Sequence, residues 1–131
     1  MNLDVNITVN FDQDKFESLF QYMNELWWLL KIKYYNDPED RHKNIDAAYL
    51  EERMWKWITE CGGTIEFIIL DEDDEDREKT VLVDLEALKT RVTTMANQSQ
   101  RDYLMLGTGE DDLEICDVLL QRFFYGDVIW G

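Results

Sequence analysis

Carboxylate side chains dominate the segment from Asp71 to Glu78, which only Arg77 interrupts. The acids in this segment are Asp71, Glu72, Asp73, Asp74, Glu75, Asp76 and Glu78. Positions 71, 73 and 75 have the spacing of the first three ligands of a calcium-binding loop. Such a loop also needs Gly at its sixth position and a bidentate Glu at its twelfth, where this chain has Asp76 and Leu82. We therefore predict no specific metal site, and calcium binding at about millimolar strength or weaker.

The acidic segment has two interpretations. It can be a solvated loop whose charge only keeps the protein soluble. It can instead be a surface that imitates the phosphates of a nucleic acid, which present about one charge per 1.7 Å of duplex axis. In the second case, the partner would be a basic protein.

A second acidic group begins the last predicted helix. The candidate binding residues in this group are Glu110, Asp111, Glu114 and Asp117. Acids at a helix N-terminus also cap the helix and interact favourably with its dipole, which accounts for the first of them. Three of the four recur at i, i+4 and i+7, and they would lie roughly 4.5–6 Å apart along one stripe of the helix. The two acidic groups form a single binding surface only if they share a face of the protein.

Tryptophan occurs in two close pairs, Trp27 with Trp28 and Trp55 with Trp57. On a helix, the two rings of each pair point to different sides, so one can join the core while the other is partly exposed. We select Trp28 and Trp55 as the candidates for exposed rings. An exposed tryptophan favours a protein interface, where this residue is enriched.

No constellation of catalytic residues accompanies these features. The single histidine, His42, lies between Arg41 and Lys43 in a polar connector, and the chain contains no G-x-S-x-G motif. The Gly-Thr-Gly turn at residues 107–109 precedes three acids and lacks the lysine of a phosphate-binding loop. We therefore predict that the protein is not an enzyme and has no cofactor.

The two cysteines, Cys61 and Cys116, are not part of a C-x-x-C motif. Together with one histidine they are too few for a four-ligand zinc site. They could form a disulfide, but each ends or lies on an apolar helical face. We predict two free, buried thiols.

Apolar periodicity predicts a single α+β domain over residues 1–131, with a small, mainly antiparallel sheet covered by about four helices. Alternating or β-branched segments predict strands near residues 3–11, 64–70 and 79–83. The last two would form a hairpin, or two strands joined by a longer loop, with the acidic segment at the tip. Apolar stripes predict helices over about residues 13–34, 44–60, 85–98 and 111–125, the third of which could continue to residue 106.

The charge of the chain restricts its partners. The net charge is −16, and residues 63–131 hold 17 acids against 6 bases. Such a charge disfavours direct binding to nucleic acid or to an anionic membrane, and it favours a basic partner. The N-terminus has no basic region followed by an apolar run, so we expect a cytoplasmic protein without a signal peptide or membrane span.

The C-terminal third, above all residues 117–131, resembles the ends of small uncharacterised proteins of phages and other mobile elements. Small size, strong acidity and the α+β pattern are also similar in kind to those of DNA-mimic and anti-CRISPR inhibitors. If the likeness holds, the compartment is the cytoplasm of the host cell. The likeness involves no shared motif, so it assigns no functional residue.

These observations favour a non-enzymatic inhibitor that binds the basic nucleic-acid-binding surface of a host defence complex, of the anti-CRISPR or anti-restriction type. The residues of both acidic groups would supply the charge. The alternative is an acidic protein-interaction module or homodimer that uses exposed aromatic side chains and carries its charge only for solubility.

Overall fold

The computed structural model of the protein describes residues 9–131. The predicted strand over residues 3–11 falls mostly outside this range, and its last three residues, Val9 to Phe11, are not in a strand. Within the range, two short 3₁₀ helices accompany the regular elements, at Met23–Glu25 and Arg41–Asn44. In chain order, the regular elements are α1 (Gln13–Phe20), β1 (Leu29–Tyr35), α2 (Leu50–Thr59), β2 (Thr64–Asp71), β3 (Asp74–Val83), α3 (Leu85–Gln98), α4 (Gln100–Tyr103) and α5 (Leu113–Tyr125).

The strands form an antiparallel sheet in the order β1-β2-β3. Phe67 in the central strand lies opposite Ile32 on one side and Val81 on the other. Because side chains alternate along a strand, these residues share one face, and that face is packed against the helices. The predicted α+β class is confirmed, and so are the strands predicted over residues 64–70 and 79–83.

The helix predicted over residues 13–34 is wrong beyond Phe20, because residues 29–35 form β1. In β1, Ile32 and Tyr34 are half-buried while Lys31 and Lys33 are exposed, which is the alternation of a strand. Pairing with β2, about 35 residues further along the chain, supplies backbone hydrogen bonds that a local apolar pattern does not reveal.

The acidic segment is a hairpin rather than a loop. Glu72 and Asp73 form the turn, and Asp74 already belongs to β3. The register shifts at this end, since Leu70 pairs with Glu78 while Asp71 pairs with Asp74. Residues 75–77 therefore have no partner in β2 and form a bulge.

The second long helix begins at Leu50, not near residue 44, and it ends at Thr59. Its predicted apolar face is buried at Met54, Trp57 and Ile58. Cys61 was expected on this face, but it lies beyond the helix end and is exposed. The helix stops there because Gly62 takes a left-handed conformation, with φ of +67°.

The last two long helices begin as expected. The carboxylates of Asp84 and Asp112 accept hydrogen bonds from backbone N–H groups in the first turns of α3 and α5. The buried side chains of α5 include Cys116, whereas Leu113 of the same helix is 41% exposed. Leu113 is the first residue of α5.

The core lies between the sheet and the helices. Phe20 of α1 packs against Phe67 of β2, with ring centroids 5.6 Å apart, and against Phe123 and Phe124 of α5. Trp28 is fully buried beside Phe124. Over residues 9–131, no helix has both the length and the apolar character needed to cross a membrane.

The two free thiols are expected to react at very different rates. Burial, with a smaller contribution from the negative charge of Asp111, raises the pKa of the Cys116 thiol to about 12. Because the thiolate is the reactive form, only Cys61 should be labelled quickly by a thiol reagent in the native protein. Mass spectrometry should show one fast label, and a second only on unfolding. Two fast labels, or none, would contradict this arrangement.

Candidate partner-binding surface

The seven acidic residues of the hairpin, which we call the hairpin acids, lie where β2 and β3 meet. They are Asp71, Glu72, Asp73, Asp74, Glu75, Asp76 and Glu78. All are exposed except Asp71, which is half-buried. Glu72 pairs with Lys79 at 2.5 Å, and Asp74 pairs with Arg77 at 3.4 Å. Within residues 9–131, no cationic side chain pairs with the remaining hairpin acids, so this end of the sheet carries a large uncompensated charge.

Lys79 and Tyr125 fix the position of the hairpin relative to α5. The hydrogen bond from the Lys79 ammonium is the main reason why the pKa of Glu72 is lowered. The same ammonium lies 5.1 Å from the centre of the Tyr125 ring, and the Tyr125 hydroxyl donates to the carbonyl of Leu70 at 2.6 Å. The hairpin acids therefore lie at the C-terminal end of α5.

The second predicted acidic group lies at the other end of this helix. Glu110 and Asp111 precede α5, so the expected helical stripe through Glu110 is wrong. Glu114 is exposed in the first turn. Because α5 has 13 residues, its ends are roughly 20 Å apart at about 1.5 Å per residue. The two acidic groups are separate, and a partner that contacts both must extend along the helix.

Asp117 has a structural role, because it binds side chains of the core. It is half-buried, and its carboxylate accepts hydrogen bonds from the indole N–H of Trp28 at 2.8 Å and the amide of Gln121 at 3.0 Å. Trp28 itself has no exposed surface. The prediction that Trp28 belongs to a partner-binding surface is therefore wrong, because the turn before β1 directs this ring into the core. Asp117 serves chiefly to satisfy the buried indole.

Trp55 is half-buried, as an interface residue can be. Its ring packs against Phe16, with centroids 5.4 Å apart, and against Phe11. It also lines a groove of about 480 Å³, together with Leu85 and Val92 among others. The prediction of a partner contact at Trp55 stays a prediction.

A further group of carboxylates, which we call the cleft acids, lines an open cavity of about 500 Å³. It shares only Asp111 with the acidic group at the start of α5. Its members come from α1, α2 and the segment before α5, and they are Asp14, Glu17, Glu51 and Asp111. The Gln21 amide donates to Asp111 at 2.6 Å. A hydrogen bond between Tyr49 and Glu17 is the main reason why the pKa of Tyr49 is raised. Only the fold brings Asp111 beside α1, so no sequence pattern could have identified this cluster.

The exposed tryptophan is Trp27, at 54% exposure. Its ring lies edge-on to the ring of Trp130, with centroids 5.1 Å apart. Val128 and Ile129, which precede Trp130 in the chain, are also exposed. We call these four residues the aromatic surface. The prediction that Trp28 is the exposed ring is wrong, because residues 27 and 28 lie in a turn and not on a helix.

Gln121, which is only 1% exposed, holds the C-terminal residues in place. Its side-chain oxygen accepts from the backbone N–H groups of Ile129 and Trp130, at 2.8 and 2.7 Å. Its amide nitrogen donates to the carbonyl of Trp130 and to Asp117. One buried side chain thus connects α5, the aromatic surface and the indole of Trp28.

Two groups of possible metal ligands occur among the described residues, and in each the ligand atoms lie within 4.8 Å of one another. In the group of Asp37, Asp40 and His42, the Asp37 carboxylate already accepts from the backbone N–H groups of Arg41 and His42 and from the His42 ring. Burial tends to raise the pKa of Asp37, but these hydrogen bonds outweigh burial and lower it. This carboxylate caps the 3₁₀ helix that follows, which accounts for its position.

The other group, Asp71, Glu72 and Asp73, lies at the hairpin turn. Asp71 accepts from the backbone N–H of Asp73, and Glu72 pairs with Lys79, so two of the three carboxylates already have partners. We expect calcium to bind here at about millimolar strength or weaker. Calorimetric titration checks this, and a micromolar dissociation constant would contradict it.

Comparison with protein-family models, with curated proteins and with solved structures finds no match to this chain.

Proposed function

We propose that the protein is a non-enzymatic inhibitor that binds the basic nucleic-acid-binding surface of another protein and competes there with DNA or RNA. The host defence complexes named above are the class of partner that we favour. The main contact would be made by the hairpin acids, and a second by the acids at the N-terminal end of α5.

The observation that carries this proposal is the uncompensated charge of the hairpin acids. Asp71, Asp73, Glu75, Asp76 and Glu78 have no cationic partner among the described residues. Carboxylates held close together repel one another, so they cost stability when the protein is alone. A basic surface would remove this repulsion, and the two-residue turn holds the acids on paired strands, which limits the conformational entropy lost on binding.

The separation of the acidic groups adds a requirement on the partner. The hairpin acids and the cleft acids lie toward opposite ends of α5. A partner that contacts both needs positive charge along an extended surface, and the basic channels that hold nucleic acids have that form.

The test compares two variants with the same change in charge. One replaces Asp71, Asp73, Asp74, Asp76 and Glu78 with Asn or Gln. The control variant neutralises five exposed acids elsewhere, namely Glu25, Glu39, Asp46, Glu60 and Glu86. A protein captured from nuclease-treated bacterial lysate is loaded with labelled DNA, and displacement of the DNA is measured.

We expect the wild-type protein to displace the DNA, with association that slows steeply as salt rises. The hairpin variant should lose at least about tenfold in affinity, since a single close charge pair can contribute more than 1.4 kcal/mol. The control variant should stay close to wild type. Equal losses in both variants would show that only total charge matters, and failure of the wild type to displace DNA would contradict the proposal.

The aromatic surface supports the alternative, an acidic protein-interaction module. Trp27 exposes more than half of its surface beside Trp130. If Trp27→Ala or Trp55→Ala abolishes capture of the partner while the hairpin variant still binds, the alternative replaces the nucleic-acid-mimic proposal.

A further inference from the structure

A cavity of about 540 Å³ lies between α3 and the C-terminal end of α5. Its volume is within the range of sites that bind small molecules. Two arginines and two threonines line it, namely Arg91, Arg122, Thr90 and Thr94. Among residues 9–131, Glu86 is the only acid in the lining.

The cavity concentrates positive charge in an acidic chain. The chain has 29 acids against 13 bases, yet two of those bases are arginines of this one cavity. The carboxylate of Glu86 lies 3.7 Å from the ammonium of Lys89, so its charge is partly compensated. The two guanidinium charges therefore attract an anion into the cavity.

Arg91 also offsets the negative end of the α5 dipole. Its Nη1 donates to the carbonyls of Phe123 and Phe124, at 2.9 and 3.1 Å, which are acceptors in the last turn of the helix. Within residues 9–131, this guanidinium makes no other hydrogen bond, and none of its remaining donors is buried. Arg91 therefore keeps donors on Nε and Nη2 for a ligand.

Arg122 lacks a structural bond that would explain its position. In the described part of the chain, its Nε is buried and has no hydrogen-bond partner. Its Nη1 lies 3.8 Å from the carboxylate of Asp127, which is beyond hydrogen-bond distance, and that carboxylate is largely exposed. Buried polar atoms are nearly always paired, so an unpaired guanidinium in a cavity indicates a role toward a ligand.

The donors of this cavity are more numerous than a carboxylate can use. One guanidinium is enough to satisfy the two oxygens of a carboxylate. Here there are two guanidinium groups and the exposed hydroxyls of Thr90 and Thr94, neither of which makes a hydrogen bond within residues 9–131. A phosphate monoester has three terminal acceptor oxygens and a charge of about −1.5 to −2 at pH 7.

We propose that this cavity binds a small phosphate monoester, with the phosphate on Arg91 and Arg122 and the hydroxyls of α3 beside it. The cavity is much larger than a phosphate group, so the organic part of the ligand occupies the rest. This site is independent of the proposed inhibitor function, which uses the hairpin acids.

Two sets of carboxylates weaken the binding of an anion here. Asp127 lies close to Arg122 and competes with the ligand for its guanidinium. The hairpin acids also lie nearby, because Tyr125, which lines the cavity, donates to the carbonyl of Leu70. Removal of either set should therefore strengthen binding.

The experiment is a calorimetric titration of the full chain with phenyl phosphate. We expect saturable binding at one site. Arg122→Gln should weaken it at least about tenfold, because hydrogen bonds to charged groups are among the strongest. Arg101→Gln is the matched control, since Arg101 is exposed on α4 outside the cavity, and it should bind like wild type.

A second pair of variants tests the competing carboxylate. Asp127→Asn should bind phenyl phosphate more tightly than wild type. Asp46→Asn makes the same change in charge at an exposed position outside the cavity, and it should not. Thr94→Val, which removes one hydroxyl from an exposed position, should weaken binding and keeps the test decisive if Arg122→Gln disturbs the fold.

The hairpin variant separates this site from the inhibitor function. Neutralising the hairpin acids should strengthen the binding of phenyl phosphate, whereas it should weaken the capture of a basic partner. The two proposals therefore predict opposite changes in one variant, and either can fail without the other.

Several results would overturn the site. One is the absence of saturable binding by wild type, and another is an equal loss in Arg101→Gln. Equal effects of Asp127→Asn and Asp46→Asn would mean that only total charge matters. Benzoate binding as tightly as phenyl phosphate would contradict a phosphate site, and inorganic phosphate binding equally tightly would contradict an organic ligand.

Discussion

Replacing Trp28 with alanine is expected to lower the free energy of unfolding by about 3–5 kcal/mol. The indole is completely buried and packs between Phe124 and Tyr125. Its loss leaves a large cavity, and it also removes the N–H that donates to Asp117. Both effects act in the same direction, so urea unfolding should show a large fall in the midpoint concentration.

The neighbouring residue provides the control. Trp27 is 54% exposed and contacts mainly Trp130, so Trp27→Ala should change stability by no more than about 0.5 kcal/mol. Equal effects of the two substitutions would mean that the turn before β1 does not orient these rings as described. Circular dichroism should confirm that both variants keep the native secondary structure before unfolding is measured.

Gly63→Ala should also destabilise strongly, by about 1–3 kcal/mol or more, through overpacking. A Cβ at this position would lie 2.2 Å from two atoms of the Trp57 ring. The ring cannot easily move, because it is only 3% exposed and its N–H donates to the Thr64 carbonyl at 3.0 Å. The free energy of unfolding, measured with urea, gives the size of the effect.

A double-mutant cycle separates this steric clash from a general loss of backbone freedom. Trp57→Phe provides a smaller ring, so Gly63→Ala should cost less in that background than in the wild type. If Gly63→Ala costs the same in both backgrounds, the loss of stability does not come from contact with the Trp57 ring. Gly131→Ala, where a Cβ meets nothing within 4 Å, should be neutral.

The elements that could be predicted are those whose signals are local. Ile65, Phe67 and Ile69 alternate with less buried residues, and this pattern is enough to predict β2. Likewise, Asp84 and Asp112 cap the helices that they precede in sequence. Such features depend on neighbours within a few residues, so no tertiary information is required.

Strand β1 could not be predicted in this way. Leu30 continues the helical spacing of Phe16 and Met23, so a local pattern cannot separate helix from strand there. Pairing with β2 decides the outcome, because the central strand needs a partner on each side. The wrong helix prediction also led to the wrong choice of exposed tryptophan. Which ring is exposed depends on whether residues 27 and 28 lie on a helix or in a turn.

The candidate acidic surfaces also differ in whether the sequence alone reveals them or only the fold creates them. The hairpin acids are consecutive except where Arg77 interrupts them, so the sequence alone identified them. The cleft acids come from positions as distant as Asp14 and Asp111, and they meet only because α1 packs beside α5. Asp117 could not be recognised as a structural residue, because its hydrogen bond to Trp28 joins residues 89 positions apart.

The bonds made by Gln121 give the molecule an optical reporter of its own C-terminal segment. Trp130 is held beside Trp27 because the Gln121 side chain accepts from the backbone N–H of Trp130 and donates to its backbone carbonyl. Any event that releases this segment exposes the half-buried indole of Trp130 and uncovers the part of Trp27 that it contacts, while Trp28 and Trp57 stay buried. Quenching of the intrinsic fluorescence by iodide would therefore follow detachment of the segment in the unlabelled protein.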